Sequence, residues 1–236
     1  MRWFKITDRI TFSHEIYINE PFIHIMNPDS TLSPRLNAIY ELIKQSQKIP
    51  SYSYIWDCCC DHGYLGMKVL VNNLCKRLFF VDRLPHIIDR LADRLAPYDI
   101  GNHELITADA GDLSFDINHR HLVVLAGVGG ECSVEIVKNI ERSHPDVAID
   151  YIFCPSTSQN ALREYLASQS FSVIEEIIEC EKKRCYEILY VQGKAEASDL
   201  VPVSLQCNIW DENNAEHRDY LEKINKPRLS KKRSKK

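Results

Sequence analysis

The segment Tyr54-Ile55-Trp56-Asp57-Cys58-Cys59-Cys60-Asp61-His62-Gly63-Tyr64-Leu65-Gly66 constrains the fold more than any other part of the chain. An apolar run closes on an acidic residue, and a short loop of small residues follows. Apolar spacing at Leu65, Val69, Leu70 and Leu74 then opens a helix. A strand–loop–helix turn of this kind holds a nucleotide-like ligand at the carboxyl end of a strand. Further along, Arg77-Leu78-Phe79-Phe80-Val81-Asp82 reads as a second buried strand ending in a carboxylate. In a Rossmann-like sheet, an acidic residue there takes the ribose hydroxyls of the ligand.

From about residue 52 the chain alternates short apolar runs with helical patterns. The runs are Tyr54–Cys58, Leu78–Val81, Glu104–Thr107, His121–Ala126 and Tyr151–Cys154. Helical spacing falls near 65–75, 86–97, 131–142 and 158–169. This rhythm predicts an α/β fold with a mostly parallel sheet and helices on both faces. The segments 171–178 and 184–191 are two strands joined by the charged turn Glu181-Lys182-Lys183, too short for a helix. They predict an antiparallel hairpin at one sheet edge. Ahead of the sheet, Ser33 at a cap and Pro34 at the first helical position start a helix through Leu36, Ile39, Tyr40 and Ile43. Three pieces are therefore expected. These are an N-terminal arm or hairpin over 1–31, an α/β domain over 32–193, and a short helix with a basic tail over 194–236.

The 236 residues carry a net charge of −4, so the molecule as a whole does not attract nucleic acid. Its last eleven residues, 226–236, are densely basic and suit a phosphate backbone. Charge interrupts Met1–Arg9 before any apolar region forms, and no run reaches membrane-spanning length, so neither a secretory leader nor a membrane segment is expected. The nine cysteines are odd in number and three are contiguous, which suits a reducing cytoplasm. Adjacent Cys58, Cys59 and Cys60 cannot readily converge on one ion, so no metal site is expected.

Several loops carry chemistry-bearing residues, each with an ordinary structural alternative. Asp57 and the 58–63 loop either face a ligand or simply connect a strand to a helix. Asp82 either binds ribose or caps the next helix, with Arg83 beside it as a partner. Asp109, in Thr107-Ala108-Asp109-Ala110-Gly111-Asp112, either accepts an adenine amine or builds a solvated turn. In Ala126-Gly127-Val128-Gly129-Gly130, three of the chain's eight glycines fall in four positions. Clustering them is costly unless a ligand must approach the backbone.

Five parallel-type strands followed by a hairpin resemble the outline of a class I S-adenosylmethionine (SAM) methyltransferase rather than a dehydrogenase. The segments together are similar to the bacterial family of tRNA adenine-22 N(1)-methyltransferases. Leu32-Ser33-Pro34-Arg35-Leu36 looks like that family's opening helix. Asp57–Gly66 is similar to its Asp-x-Gly-Ser-Asp-His-Ala-Tyr-Leu-Pro loop, and Leu125–Gly130 to its Ala-Gly-Met-Gly-Gly loop. Leu162–Leu166 and Cys185–Ile188 match a later helix and the final strand. The resemblance spans about residues 32–192. It departs at Cys59, where the family has glycine, and at Cys154-Pro155-Ser156, where it has Gln-Pro-Asn. The family's sizeable helical C-terminal domain is also replaced here by a short segment.

The resemblance implies SAM as cofactor and tRNA as partner. Its candidate cofactor contacts are Asp57, Cys59, Gly63, Asp82, Arg83, Asp109, Ala110, Ala126, Gly127 and Gly129. Asp61, His62 and Tyr64 are the catalytic candidates. Asp61 would stabilise the cationic methylated base or accept a proton, and His62 and Tyr64 would shape the base pocket. The alternative for Asp61 is a cap on the following helix. Alternative functions are a SAM methyltransferase for a small molecule or protein, and a non-catalytic RNA-binding protein that kept the fold.

Overall fold

The computed structural model describes residues 32–47, 52–97, 101–182, 184–193, 200–207, 209–211 and 213–225. The expected N-terminal arm and basic tail lie outside these residues. Helix α1 (Pro34–Ser46) is followed by β1 (Tyr54–Cys58), α2 (Tyr64–Val71), β2 (Arg77–Asp82), α3 (Pro85–Leu95) and β3 (His103–Thr107). Then come a 3₁₀ turn (Ala110–Asp112), β4 (His121–Ala126), α4 (Gly130–Ser143), β5 (Ile149–Cys154) and α5 (Gln159–Ser168). The chain ends with β6 (Ser172–Glu181), β7 (Arg184–Gln192) and α6 (Ala215–Asn225).

The seven strands order as β3-β2-β1-β4-β5-β7-β6. Strands β3 through β5 pair in parallel, and β7 enters antiparallel between β5 and β6. The expected Rossmann-like sheet and edge hairpin are both present. Because β2 and β4 flank β1 on opposite sides, the chain reverses its direction of winding there, and a crevice opens at the carboxyl ends.

Strand periodicity sorts the side chains into two cores. Trp56, Phe79, Val81, Val123 and Leu125 point to one face, against Val134, Val137 and Ile140 of α4 and Leu162 and Leu166 of α5. Ile55, Leu78, Phe80, Leu122 and Val124 point to the other, against Ile39 and Ile43 of α1, Val69 of α2, and Leu91 and Leu95 of α3. Burial on both faces explains why these strands are continuously apolar in sequence.

Two local expectations are corrected. Helix α2 stops at Val71 rather than near residue 75, because Asn73 turns left-handed at φ 51°. The N–H groups of Asn73 and Leu74 then close back on the carbonyls of Leu70 and Val69, a turn that satisfies the last carbonyls of a helix. Ser33 and Pro34 stand at the cap and first position of α1, but the Ser33 hydroxyl makes no capping bond.

The segment after β7 packs back on the sheet. Val173 donates to the Val201 carbonyl and Val203 to the Phe171 carbonyl, extending the β6 edge. A buried ion cluster fastens it. Arg163 of α5 donates to Glu187 at 2.8 Å, to Glu176 at 2.7 Å and to the Ser204 carbonyl at 3.2 Å. Trp210 Nε1 also reaches Glu187. Tyr220 of α6 stacks on Trp210 and accepts from Gln159 at 2.7 Å. Arg163→Ala would take the guanidinium from buried Glu187 and half-buried Glu176. It is expected to cost about 3–5 kcal/mol in urea unfolding, and a loss below about 1 kcal/mol would contradict this account.

Candidate functional site

Left-handed turns shape the loop after β1. Cys59, Asp61 and Gly63 have φ of 58°, 45° and 68°. Cys59 is the position where the resembling family has glycine, and the backbone explains that preference, because φ > 0 is costly for any side chain. The N–H groups of Cys59 and Cys60 both go to the Val81 carbonyl, at 2.8 and 3.3 Å. These two N–H groups therefore tie the loop to β2. Helix geometry leaves the N–H groups of Tyr64 and Leu65, in the first turn of α2, without intrahelical acceptors.

Asp57 lies beneath this loop rather than lining it. It is 6% exposed, and its Oδ2 accepts from the Gly66 N–H at 3.0 Å. Gly66 has no room for a side chain, since a Cβ would stand 2.3 Å from Phe80 Cε1. Asp57 thus ties the end of β1 to the first turn of α2. Burial pushes its carboxyl up to about 7, and the Gly66 bond opposes the shift only in part.

At the neighbouring strand ends, two carboxylates are each held by one oxygen. Asp82 Oδ1 accepts from the Leu84 N–H at 3.0 Å, and Asp109 Oδ1 from the Gly111 N–H at 2.9 Å. The Ala108 N–H donates to the Asp82 carbonyl at 3.1 Å, which sets the two turns side by side. Among the described residues, neither second oxygen has a hydrogen-bond donor, so each can accept another. Arg83 is exposed, and Ala110 is buried at the start of the 3₁₀ turn.

The glycine run after β4 has a divided role. Gly127 is exposed with φ 93° at the end of β4, beside half-buried Ala126. Gly129 and Gly130 instead let the backbone close on the loop after β5. A Cβ on Gly130 would stand 2.1 Å from the Ser158 carbonyl oxygen, and one on Gly129 would stand 3.0 Å from Thr157 Oγ1. The Ser156 N–H donates to the Val128 carbonyl, stitching the loops together. At Gly127 a Cβ would meet only Arg35 Nη1, at 4.0 Å, so its main chain is the open one of the three.

Asp61, His62 and Tyr64 form a surface group. Asp61 Oδ1 lies 3.6 Å from His62 Nδ1, and the His62 and Tyr64 rings are 5.5 Å apart. Arg94 of α3 donates to the His62 carbonyl at 2.6 Å and covers the Tyr64 ring at 4.9 Å. Asp61 does not cap α2, whose N-terminus has no side-chain cap. Among the described residues, no hydrogen bond or ring contact joins this group to the Gly127 loop.

Burial, with Asp82 adding, pushes the Cys59 thiol up to about 12, and the Cys58 and Cys60 thiols also rise. Raised thiols favour the protonated form over the nucleophilic thiolate. Among the described residues, no group of three His, Cys, Asp or Glu could hold a metal, and no helix is long and apolar enough to cross a membrane.

Three contacts lay outside the sequence reading. Arg35 and Arg184 both lie over the Tyr186 ring, near Gly127 and Ser156. Cys180 and Cys185, directly opposite in the hairpin register, form a disulfide. Arg35, Tyr186 and Cys185 lie in the family-like segments Leu32–Leu36 and Cys185–Ile188, Arg184 and Cys180 lie in neither, and the disulfide departs from the reduced cysteines expected.

With this geometry in place, known proteins provide the comparison. The model of a family described as a methyltransferase domain matches residues 32–189. The chain belongs to this family. The methyltransferase domain spans the sheet and both helical layers, with the cleft at its carboxyl edge. TrmK of M. capricolum, solved in complex with S-adenosyl-homocysteine, is 23% identical, with a TM-score of 0.59 over 72% of each chain. The B. subtilis m1A22 tRNA methyltransferase TrmK is 19% identical, with a TM-score of 0.57 over 70% of this chain and 67% of that one. Magnesium protoporphyrin IX methyltransferase of Synechocystis PCC 6803 is 11% identical, with a TM-score of 0.53 over 68% and 82%. At these identities the likeness establishes a shared Rossmann-like methyltransferase fold. No curated protein matches the chain.

Two outcomes follow. A carboxyl whose folded pKa is raised favours its neutral form, so the Asp57 contribution is complete below pH about 4 and is lost as pH rises through about 7. Asp57→Asn should flatten the fall in urea stability between pH 5 and 8, and an unchanged slope would contradict the assignment. At Cys59, a β-branched side chain cannot take φ 58° easily. Cys59→Val should cost about 1 kcal/mol or more, whereas Cys59→Gly should stay within about 0.5 kcal/mol. Equal losses would show that volume, not backbone, governs the position.

Proposed function

We propose that this methyltransferase uses SAM to methylate a ring nitrogen of adenine in tRNA. The observation that carries the reading is the ladder of half-engaged carboxylates at successive strand ends. Asp82 and Asp109 each keep one oxygen available beside the α2 N-terminus. That donor set fits the groups of SAM. Asp82 suits the ribose hydroxyls, Asp109 the adenine amine, and the Tyr64 and Leu65 N–H groups the methionine carboxylate. Asp57 holds the loop and helix in register for this and makes no contact of its own. Two relatives of the fold support the assignment, since one was solved with S-adenosyl-homocysteine and another is an m1A22 tRNA methyltransferase.

When bound, SAM supplies an electrophilic methyl group on a sulfonium. The protein's task is then to position and desolvate, and approach geometry supplies a large share of rate acceleration. An adenine ring nitrogen has its own lone pair, so no strong base is needed. Methylation leaves the ring cationic. We assign Asp61 to stabilising that charge, because its carboxylate is exposed, has no capping duty, and sits on a strained left-handed residue. His62 and Tyr64 would border the base. Gly127 would leave room for it between the cofactor and the β5 loop. A structured RNA must first unstack the target nucleotide to deliver it there.

The test is a SAM titration by calorimetry, followed by methyl transfer to unmodified tRNA transcripts. Asp82→Ala should weaken SAM about 10-fold or more, the value of a charged hydrogen bond. Asp61→Ala should lower kcat by about 100-fold with SAM affinity and thermal stability unchanged. No binding at millimolar SAM would overturn the reading. SAM binding with transfer only to free nucleosides or proteins would replace tRNA by another substrate.

A further inference from the structure

At the β4–β5–β7 end of the cleft, two guanidinium groups converge from segments remote in sequence. Arg35, in the first turn of α1, lies over the Tyr186 ring at 4.7 Å. Arg184, the first residue of β7, lies over the same ring at 4.9 Å. Arg35 Nη1 stands 4.0 Å from where a Cβ on Gly127 would be. Arg184 Nη2 donates to the Ser156 carbonyl in the loop after β5. Together they flank the two loops that close the cleft opposite Asp82 and Asp109.

The ring contacts and the Ser156 bond stabilise this arrangement only in part. Like charges held this close repel. Among the described residues, the carboxylate within ion-pair reach is Glu181, whose Oε1 lies 3.5 Å from Arg35 Nε. That pair is imperfect, since Arg35 Nε and Glu181 Oε2 are both buried without a hydrogen-bond partner. Ion pairs of such geometry repay little of their desolvation cost. Among the described residues, the two guanidinium groups outnumber the one carboxylate in ion-pair reach, in a chain whose net charge is −4. The parts are also held in place. The Cys180–Cys185 disulfide closes the turn that carries Glu181 and Arg184, and the aromatic ring braces both planar forks. A braced guanidinium fork matches a phosphate and loses little freedom on binding it.

We infer that Arg35 and Arg184 bind the phosphodiester backbone beside the target nucleotide, with Tyr186 as their brace. The inference rests on the RNA substrate proposed above and adds how this cleft prefers a polynucleotide to an uncharged metabolite. Arg35 and Arg184 act here as positioning residues for the substrate, on the flank away from the cofactor carboxylates.

The experiment measures the affinity of an unmodified tRNA transcript by fluorescence anisotropy at several salt concentrations, with SAM calorimetry in parallel. The paired variant Arg35→Ala with Arg184→Ala should weaken RNA by about 10-fold or more. It should also make the slope of log K against log salt shallower by about 1.5, as loss of two phosphate contacts requires, with SAM affinity unchanged. The lysine pair should keep the slope and lose part of the affinity. Because Arg35 is half-buried, the exposed Arg184→Ala variant alone decides if the pair misfolds, and its slope should fall by about 0.8. If the wild-type protein binds no RNA, the substrate reading fails and the inference with it. If wild type binds RNA and the arginine variants match its affinity and slope, the inference alone is overturned.

Discussion

The contact between Asp57 and the Gly66 N–H holds the cleft together. Strand β1 is buried on both faces and can present polar groups only at its carboxyl end. There a single buried carboxylate fixes the first turn of α2. Gly66 allows the helix to approach Phe80 closely enough for that bond. The left-handed residues Cys59, Asp61 and Gly63 turn the chain sharply between strand and helix. If any of these gave way, the loop and the first-turn N–H groups of α2 would lose their place above the sheet.

Around this anchor the cleft is electrically divided. On the β2–β3 flank stand Asp82 and Asp109, each pre-oriented by a bond to a backbone N–H two residues on. On the β5–β7 flank stand Arg35 and Arg184 on Tyr186. The first flank suits the hydroxyls and amine of a nucleoside, and the second suits an anion. Gly127 lies beside Arg35 on the second flank. The division follows from topology, because reversal of winding at β1 sends consecutive strands to opposite sides of the same crevice.

The segment after β7 completes the second flank. Arg163 links α5, β6 and β7 to the Ser204 carbonyl, and the Cys185 sulfur lies 3.8 Å from the Glu216 carbonyl of α6. Tyr220 binds Gln159 at the start of α5. Helix α6 therefore packs against the strand that carries Arg184 and Tyr186.

The architecture was legible in the sequence because it depends on local periodicity. Apolar runs buried on both faces, helical spacing between them and a connection too short for a helix lead to a parallel sheet with an edge hairpin. The family-like loops were legible too, since turns with φ > 0 leave a mark in residue choice, and Cys59 stood out as a departure at such a turn. Which side of each loop faces the cleft was not legible. Asp57 turned inward to a helix N–H, Gly129 and Gly130 served a neighbouring loop, and Asp61, His62 and Tyr64 leaned toward Arg94 of α3. Arg35 and Tyr186 lie in family-like segments, but their meeting with Arg184 was not legible, because it depends on α1 and β7 being brought to one edge of the sheet. Sequence by itself determined the elements and their order, through short-range sterics and hydrophobic spacing. Tertiary structure decided which polar atoms remain available, because hydrogen bonds between segments far apart in the chain consume the rest.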